Sequence, residues 1–412
     1  MSKIKAISCH KILNSRGDWT IETHVELDDG AVGIQAIPEG ASKGEREAVS
    51  LPVDKSVHIV STVIDDAIRG ENPEDQEGID RMLIEMDGTA NKHHFGGNSL
   101  LSVSLAVASA VSNSKGIELY EYLSAQFYKK PFSKASLQFP TPVFNVLNGG
   151  KHAHNGLSFQ EFMVIPSRAY SIDKAIEIGT NIYHSLKTKL IEEHLDVDVG
   201  DEGGFAPNNL TVPKALEFLK AAASEQYKPG KDVFFGMDVA AESFYSEGHY
   251  KIREENLELN DDKLIEYYEK LFKKFEIIYL EDPFYERDYQ AWEAVYKKLG
   301  NNCMIVGDDL VVTNTKYLKK AIERKMINAV IVKPNQVGTL TETFDFVRMA
   351  QEAKMDIILS HRSGDTAEDT FIADLAVAVG AQFIKSGAPV RGERVAKYNR
   401  LLEILAINNP ED

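Results

Sequence analysis

Val233-Phe234-Phe235-Gly236-Met237-Asp238 is an apolar run that stops on a carboxylate. The same pattern returns five times downstream. Ile277 to Leu280 stops on Glu281, Cys303 to Gly307 on Asp308, Ala329 to Val332 on Lys333, Ile357 to Ser360 on His361, and Phe383-Ile384 on Lys385. Successive tips stand 24 to 43 residues apart, with an amphipathic helical stretch in each interval. Short apolar runs bounded by polar residues fit buried strands, and strands alternating with helices at this spacing predict a parallel β/α barrel. In such barrels chemistry gathers at the C-terminal strand ends. The fold reading therefore yields a first site inventory: three carboxylates, two lysines and a histidine around one mouth.

Upstream the period changes. Residues 4–13, 20–27 and 31–37 read as strands of an antiparallel meander, with turns at Ser15 to Asp18 and Asp28 to Gly30. Helical periodicity follows over about 57–69, 98–113 and 117–127. The Pro- and Lys-bearing stretch Lys129 to Pro142 reads as a linker. The predicted organisation is an N-terminal α+β domain over residues 1–135 and a β/α barrel over residues 136–412. The loop Glu39-Gly40-Ala41-Ser42-Lys43-Gly44 has the small residues of a mobile lid. Between the later strands, Leu264 to Phe272, Thr341 to Met349 and Asp369 to Val379 carry ordinary core-facing stripes.

Composition narrows the class. The chain has 412 residues, 43% hydrophobic and 26% charged, as in an ordinary soluble globular protein. Cys9 and Cys303 sit in apolar runs and read as reduced core residues. The N-terminus shows no apolar signal-peptide region, and the apolar helical stretch Leu100 to Val111 holds three serines and is too short to span a membrane. A cytoplasmic location is the plain expectation. The net charge of −17 argues against nucleic acid and against an anionic membrane surface as partners. An anionic substrate would need local positive charge, which Lys333, Lys385, His361, Arg362 and a bound divalent cation would supply.

Asp238, Glu281 and Asp308 would repel one another and resist ionisation unless a cation joined them. An all-oxygen ligand set suits a hard ion, above all Mg²⁺. Lys333, placed beside metal cations, is expected to have its ammonium form disfavoured, which suits a general base; the alternative is a lysine that only neutralises the acidic cluster. Asp201-Glu202-Gly203-Gly204 is a loop with little folding reason to carry paired acids. Another loop, Asn148 to Asn155, contains His152 and His154 and leads to Gln160-Glu161. Two histidines at i, i+2 with no third partner in sequence read as loop residues near a polar site rather than as a zinc site.

The chain resembles the enolases over about residues 4 to 405. The resemblance rests on Leu13-Asn14-Ser15-Arg16-Gly17, Gly40-Ala41-Ser42, Asp87-Gly88-Thr89, Asn148-Gly149-Gly150 and Gln160-Glu161-Phe162-Met163. It continues through Gly200 to Pro207, Glu281-Asp282-Pro283-Phe284 and Gly307-Asp308-Asp309-Leu310. Asn335-Gln336 to Thr339, Ser360-His361-Arg362-Ser363-Gly364 and Lys385-Ser386-Gly387-Ala388-Pro389 complete it. The resemblance implies an enolase-type barrel and reversible dehydration of 2-phosphoglycerate to phosphoenolpyruvate, with two Mg²⁺ per active site. It implies that Asp238, Glu281 and Asp308 hold one Mg²⁺, that Lys385 contacts the substrate carboxylate, and that Lys333 takes the C2 proton. Glu202, with Glu161 beside it, would assist loss of the 3-hydroxyl. Ser42 would join the second Mg²⁺ and the phosphate, Arg362 and Ser363 the phosphate. His152, His361 and Gln160 would line the substrate pocket. A homodimer or a ring of dimers is the implied assembly.

Some positions depart from the family pattern. The lid usually reads Ser-Gly-Ala-Ser-Thr-Gly, so Glu39 and Lys43 change its charge; Lys43 would either attract phosphate or sit in solvent. Lys333-Pro334-Asn335-Gln336 replaces Lys-Val-Asn-Gln, and Pro334 restricts Lys333 to extended backbone. Asp18-Trp19 replaces Asn-Pro, and one extra residue falls within Ser363 to Asp369. Two other readings stay open on sequence: another enolase-superfamily lyase or racemase, and an enolase-fold binding or structural protein without useful catalysis.

Overall fold

The computed structural model describes residues 2–40, 44 and 46–409. Three strands open the chain, β1 (Ile4–Leu13), β2 (Trp19–Leu27) and β3 (Val32–Ala36), in an antiparallel sheet of order β1-β2-β3. Ile7, Cys9, Ile21, Val25 and Leu27 are buried on its inner side. The helix Gly97–Lys115 packs there and is buried along most of its length. Two of its buried serine hydroxyls accept hydrogen bonds: Ser102 Oγ from Thr23 Oγ1 (2.8 Å) and Ser104 Oγ from Gln76 Nε2 (3.3 Å). Among the described residues, no single helix is long and apolar enough to cross a membrane. Cys9 and Cys303 are free and buried.

The helix expected over 57–69 is Val53–His58 continued through a π-helical turn, Ile59–Ile64, to Asp65–Ile68. Within the N-terminal unit the helix Gln76–Asp87 lies outside the expected helical stretches. Of its apolar residues only Ile79 and Leu83 are buried, and Gly78 weakens the pattern, although Asp75 caps it by accepting from Gly78 N.

The second unit is a closed barrel. Its first strands are β4 (Thr141–Asn148), β5 (Glu161–Pro166) and β6 (Val233–Asp238). A small antiparallel sheet, β7 (Tyr245–Ser246), β8 (His249–Ile252) and β9 (Leu257–Leu259), follows and accounts for the longest interval between strand tips. Then come β10 (Ile277–Glu281), β11 (Met304–Gly307), β12 (Ala329–Val332), β13 (Asp356–Ser360) and β14 (Phe383–Lys385). The closed order is β10-β11-β12-β13-β14-β4-β5-β6. Val143, Met163, Ile165, Tyr279, Val306, Ile331 and Ile358 pack as a cluster within the barrel.

The expectation of an all-parallel barrel needs one correction: β5 pairs antiparallel with both β4 and β6. The physical reason is the connection. β4 and β5 are joined without a crossover α-helix, and parallel pairing needs such a crossover. The reversal has two consequences for the mouth. Glu161 begins β5 yet sits at the same end as strand tips, in register with Asn148 and Asp238. The helices Ile172–Glu192 and Val212–Ala223 then run out and back, so the loop between them returns to the mouth. Phe205 fastens that loop to β4: Asn148 N donates to its carbonyl (2.8 Å), and its own N–H donates to Val146 (2.9 Å).

Candidate active site

Lys385, on the tip of β14, is 2% exposed and has three carboxylates around it. Its Nζ lies 2.8 Å from Glu281 Oε2, 3.2 Å from Glu161 Oε2 and 3.3 Å from Asp238 Oδ2. Burial alone would drive the ammonium to deprotonate, but the three acids hold its pKa well above the ordinary lysine value. Glu281 is pushed up to about 7, first by burial and then by Asp238, with Lys385 opposing. Tyr279 OH donates to Glu281 Oε2 at 2.5 Å. Asp238 Oδ2 accepts from Gln160 Nε2 at 3.1 Å, and Oδ1 from Ala240 N at 3.1 Å.

Asp308, just past β11, faces Lys333 at the end of β12 in a close ion pair. Gln336 Nε2 donates to its other oxygen at 3.0 Å. Burial raises the Asp308 carboxyl, but Lys333 prevails and the net direction is downward. The expectation for Lys333 is set beside bound metal cations; without one, its neighbours are protein groups alone. Burial, Arg362 and Lys385 pull its pKa down, yet Asp308 and Glu281 outweigh them and the direction is upward. Lys333 rests as the ammonium partner of Asp308. Beneath them, Asp282 adopts φ +42° and accepts from Asp308 N (3.0 Å) and Asp309 N (2.9 Å), shaping the turn that presents Asp308. Asp309 is pushed up to about 8 by burial and then by Asp308.

A second group joins His152, Glu161 and Glu202. His152 Nδ1 lies 3.5 Å from Glu202 Oε1 and 3.8 Å from Glu161 Oε1. His361 Nε2 stands 3.4 Å from the same Glu202 oxygen, and Asn145 Nδ2 donates to the other at 2.9 Å. Burial and then Glu202 raise the Glu161 pKa well above the carboxylate range. Burial would raise Glu202 too, but the two imidazoles bring it down. The pair therefore holds one proton, resting on Glu161. Arg394, fully buried, donates to His361 Nδ1 at 2.7 Å. An arginine can only donate, so Nδ1 is the acceptor and the ring proton is on Nε2, towards Glu202. Burial lowers the His361 pKa to about 4, so the ring is neutral.

At the third edge, Arg362 is buried and donates to Glu47 Oε2 (2.9 Å) and Asn335 Oδ1 (3.3 Å). A Cβ at Gly40 would lie 1.9 Å from Arg362 Nη2, so the glycine permits the lid root to cross the guanidinium. Glu39 and Gly364 exchange backbone hydrogen bonds at 2.9 and 2.8 Å, tying that root to the loop after β13. The Ser363 carbonyl accepts from Arg394 Nη2 at 2.7 Å. Ser42 and Lys43, with Ala41, lie outside the described residues, and with them the expected second-metal and phosphate contacts of the lid.

One cavity brings together His152, Gln160, Glu161, Glu202, Asp238, Asp308, Lys333, His361, Arg362, Ser363 and Lys385. Glu281 is fully buried against Lys385 and does not line it. His154 is exposed and takes no part in that lining. Asp282, Asp309, Glu47, Asn145 and Arg394 were not singled out for the site from sequence. The doublets Glu281-Asp282 and Asp308-Asp309 at strand tips were a readable signal for the first two. Glu47, Asn145 and Arg394 belong to no local pattern. The donor set of Asp238, Glu281 and Asp308 is all carboxylate oxygen, and Glu281 Oε1 is buried without a hydrogen-bond partner. Both features suit a hard divalent cation, but the three carboxylates do not converge as a set: among the described residues the acids there whose oxygens lie within 4.8 Å of one another are Asp282, Asp308 and Asp309.

Comparison with protein families gives two matches that together cover most of the chain. Residues 4–123 match the family described as Enolase, N-terminal domain, and residues 136–408 match Enolase, C-terminal TIM barrel domain.

Proposed function

The chain belongs to the enolase family of lyases, and from that premise we propose that it catalyses the reversible, Mg²⁺-dependent dehydration of 2-phosphoglycerate to phosphoenolpyruvate. The observation that carries the reading is the shared cavity: a lysine at a strand tip, a carboxyl pair holding one proton, and a buried arginine beside the lid root.

The proton to be removed lies α to a carboxylate, so its loss adds charge to a group already negative. Lys385 compensates from one side, as the substrate carboxylate joins the acids already around its ammonium. A divalent cation held by Asp238, Glu281 and Asp308 would supply Lewis-acid stabilisation of that charge, with a second one towards Ser42 and the phosphate. Lys333 accepts the C2 proton at Nζ, which requires its contact with Asp308 to loosen and its own proton to leave first. The electron pair left on C2 forms the C2–C3 double bond as the C3–O bond breaks. The departing hydroxyl takes the proton shared by Glu161 and Glu202 and leaves as water. Neutral His361, oriented by Arg394, keeps an N–H directed at Glu202, and His152 flanks both acids. Arg362 and Ser363 receive the phosphate, for which Arg362 must exchange Glu47 for the incoming oxygens. Gln160 steadies Asp238.

The reading extends to glycolysis and gluconeogenesis in the cytoplasm and to a homodimer or ring of dimers. Two buried free cysteines and a charge of −17 support a reducing compartment and a small-molecule rather than nucleic-acid partner. The deciding assay follows enol-ester absorbance from 2-phosphoglycerate and Mg²⁺, with EDTA as control. Metal-dependent product is expected, and its absence overturns the proposal. Lys333→Ala is expected to slow C2 proton exchange by about a thousandfold or more; unchanged exchange would remove Lys333 as the base.

A further inference from the structure

A second set of convergent donor atoms lies away from the barrel mouth, on the outer face of the N-terminal sheet. The register of β1 and β2 sets His10 directly against Glu22 and Ser8 against His24, so His24 is the diagonal neighbour of His10. Both imidazoles turn the same atom towards the same oxygen. His10 Nε2 is 3.3 Å and His24 Nε2 3.0 Å from Glu22 Oε1, and the ring centroids are 5.2 Å apart. The three donor atoms lie within 4.8 Å of one another.

These spacings match a coordination polyhedron. Metal–nitrogen and metal–oxygen bonds of about 2.0–2.1 Å in a tetrahedron put ligand atoms roughly 3.3–3.4 Å apart. Two edges of the donor triangle already stand close to that value, so an ion could enter with small rotations of side chains on rigid paired strands. Two imidazoles and a carboxylate suit Zn²⁺ and similar borderline ions rather than Mg²⁺. This distinguishes the group from the oxygen-only set at the mouth. The His10 and His24 side chains are 53% and 33% exposed, leaving an approach and a fourth position for water.

We propose that His10, Glu22 and His24 form a site for one Zn²⁺-class ion per chain, which clips β1 to β2 and is separate from the catalytic cation. Binding requires the lone pairs of both Nε2 atoms to face the ion.

The test is calorimetric titration of the metal-stripped full-length protein with Zn²⁺ in excess Mg²⁺, which occupies the hard-cation positions. One Zn²⁺ equivalent is expected that weakens at least tenfold in His10→Ala and in His24→Ala and disappears in the double variant. Turnover with Mg²⁺ should be unchanged in all three, and circular dichroism checks that they fold. Absence of that equivalent, or its survival at parental affinity in the double variant, overturns the site.

Discussion

Lys385 sets the electrostatics of the mouth. Three buried acids surround one ammonium, and with the proton of the Glu161–Glu202 pair on Glu161 it is Asp238 and Glu281 that lean on the lysine for compensation. Removing the ammonium would leave buried acids uncompensated, a change that typically costs about 3–5 kcal/mol. Lys385→Met keeps the length and apolar stem of the side chain. It is therefore expected to lose stability of that order near neutral pH through charge alone. If Asp238 and Glu281 are cation ligands, the loss of a competing positive charge should also strengthen their hold on Mg²⁺. Mg²⁺ is then expected to raise the thermal midpoint of Lys385→Met more than that of the parent. Melting curves with and without Mg²⁺ check this; equal Mg²⁺-dependent shifts in the two proteins would place the cation away from these carboxylates.

The loop between the helices Ile172–Glu192 and Val212–Ala223 shows how an element far from the strand tips contributes to the chemistry. The Glu202 carbonyl accepts from Ala388 N at 2.9 Å, and the Gly203 carbonyl accepts from Tyr183 OH at 2.8 Å, so the backbone is pinned on two sides. Gly203 has φ +86°, and a Cβ there would meet Val390 Cγ2 at 3.0 Å and Ala388 Cβ at 3.2 Å. Gly203→Ala adds backbone strain of roughly 1–2 kcal/mol and pushes Glu202 off its place. Because Glu202 is read as serving the leaving hydroxyl rather than binding, kcat should fall by at least about tenfold while KM changes by less than about threefold. Steady-state kinetics decide this, and a change confined to KM would sink the assignment. The same loop marks the limit of what the sequence carried. Six barrel strands were legible because each pairs an apolar run with a polar tip. β4 and β5 were not, since their tips fall in Asn148 and in the first residue of a reversed strand. Glu202 and Glu161 emerged from loop composition and family motifs, whereas Asn145 and Arg394 reach the site only through the fold, as partners of Glu202 and His361. The metal-free upward direction at Lys333 rests on the Asp308 contact, which the strand end alone does not specify.

At the scale of the molecule, the N-terminal unit is held on the barrel by polar contacts between the two. Thr341 Oγ1 donates to Asp80 at 2.6 Å, Lys92 pairs with Glu342 at 2.8 Å, and Tyr120 N donates to Asp374 at 3.2 Å. Another such contact starts on β3: Gln35 Nε2 donates to Asp369 Oδ1 at 3.0 Å, and Phe371 N donates to the same oxygen at 3.0 Å. Burial lifts the Asp369 pKa to about 6, with Lys397 opposing. The folded protein thus favours the protonated acid more than the unfolded chain does, whose aspartates titrate near 3.9. That preference stabilises fully below about pH 4 and is lost as the pH rises through 6. Asp369→Asn keeps the oxygen that accepts both hydrogen bonds and cannot ionise. The variant is therefore expected to exceed the parent in stability at pH 8 by about 2–3 kcal/mol, the equivalent of the shift, with the gap closing towards pH 4. Denaturant unfolding at pH 4.5 and pH 8 measures it. A gap that does not change with pH would mean that Asp369 stays ionised throughout, and that charge pairing rather than burial governs this part of the contact between the two units.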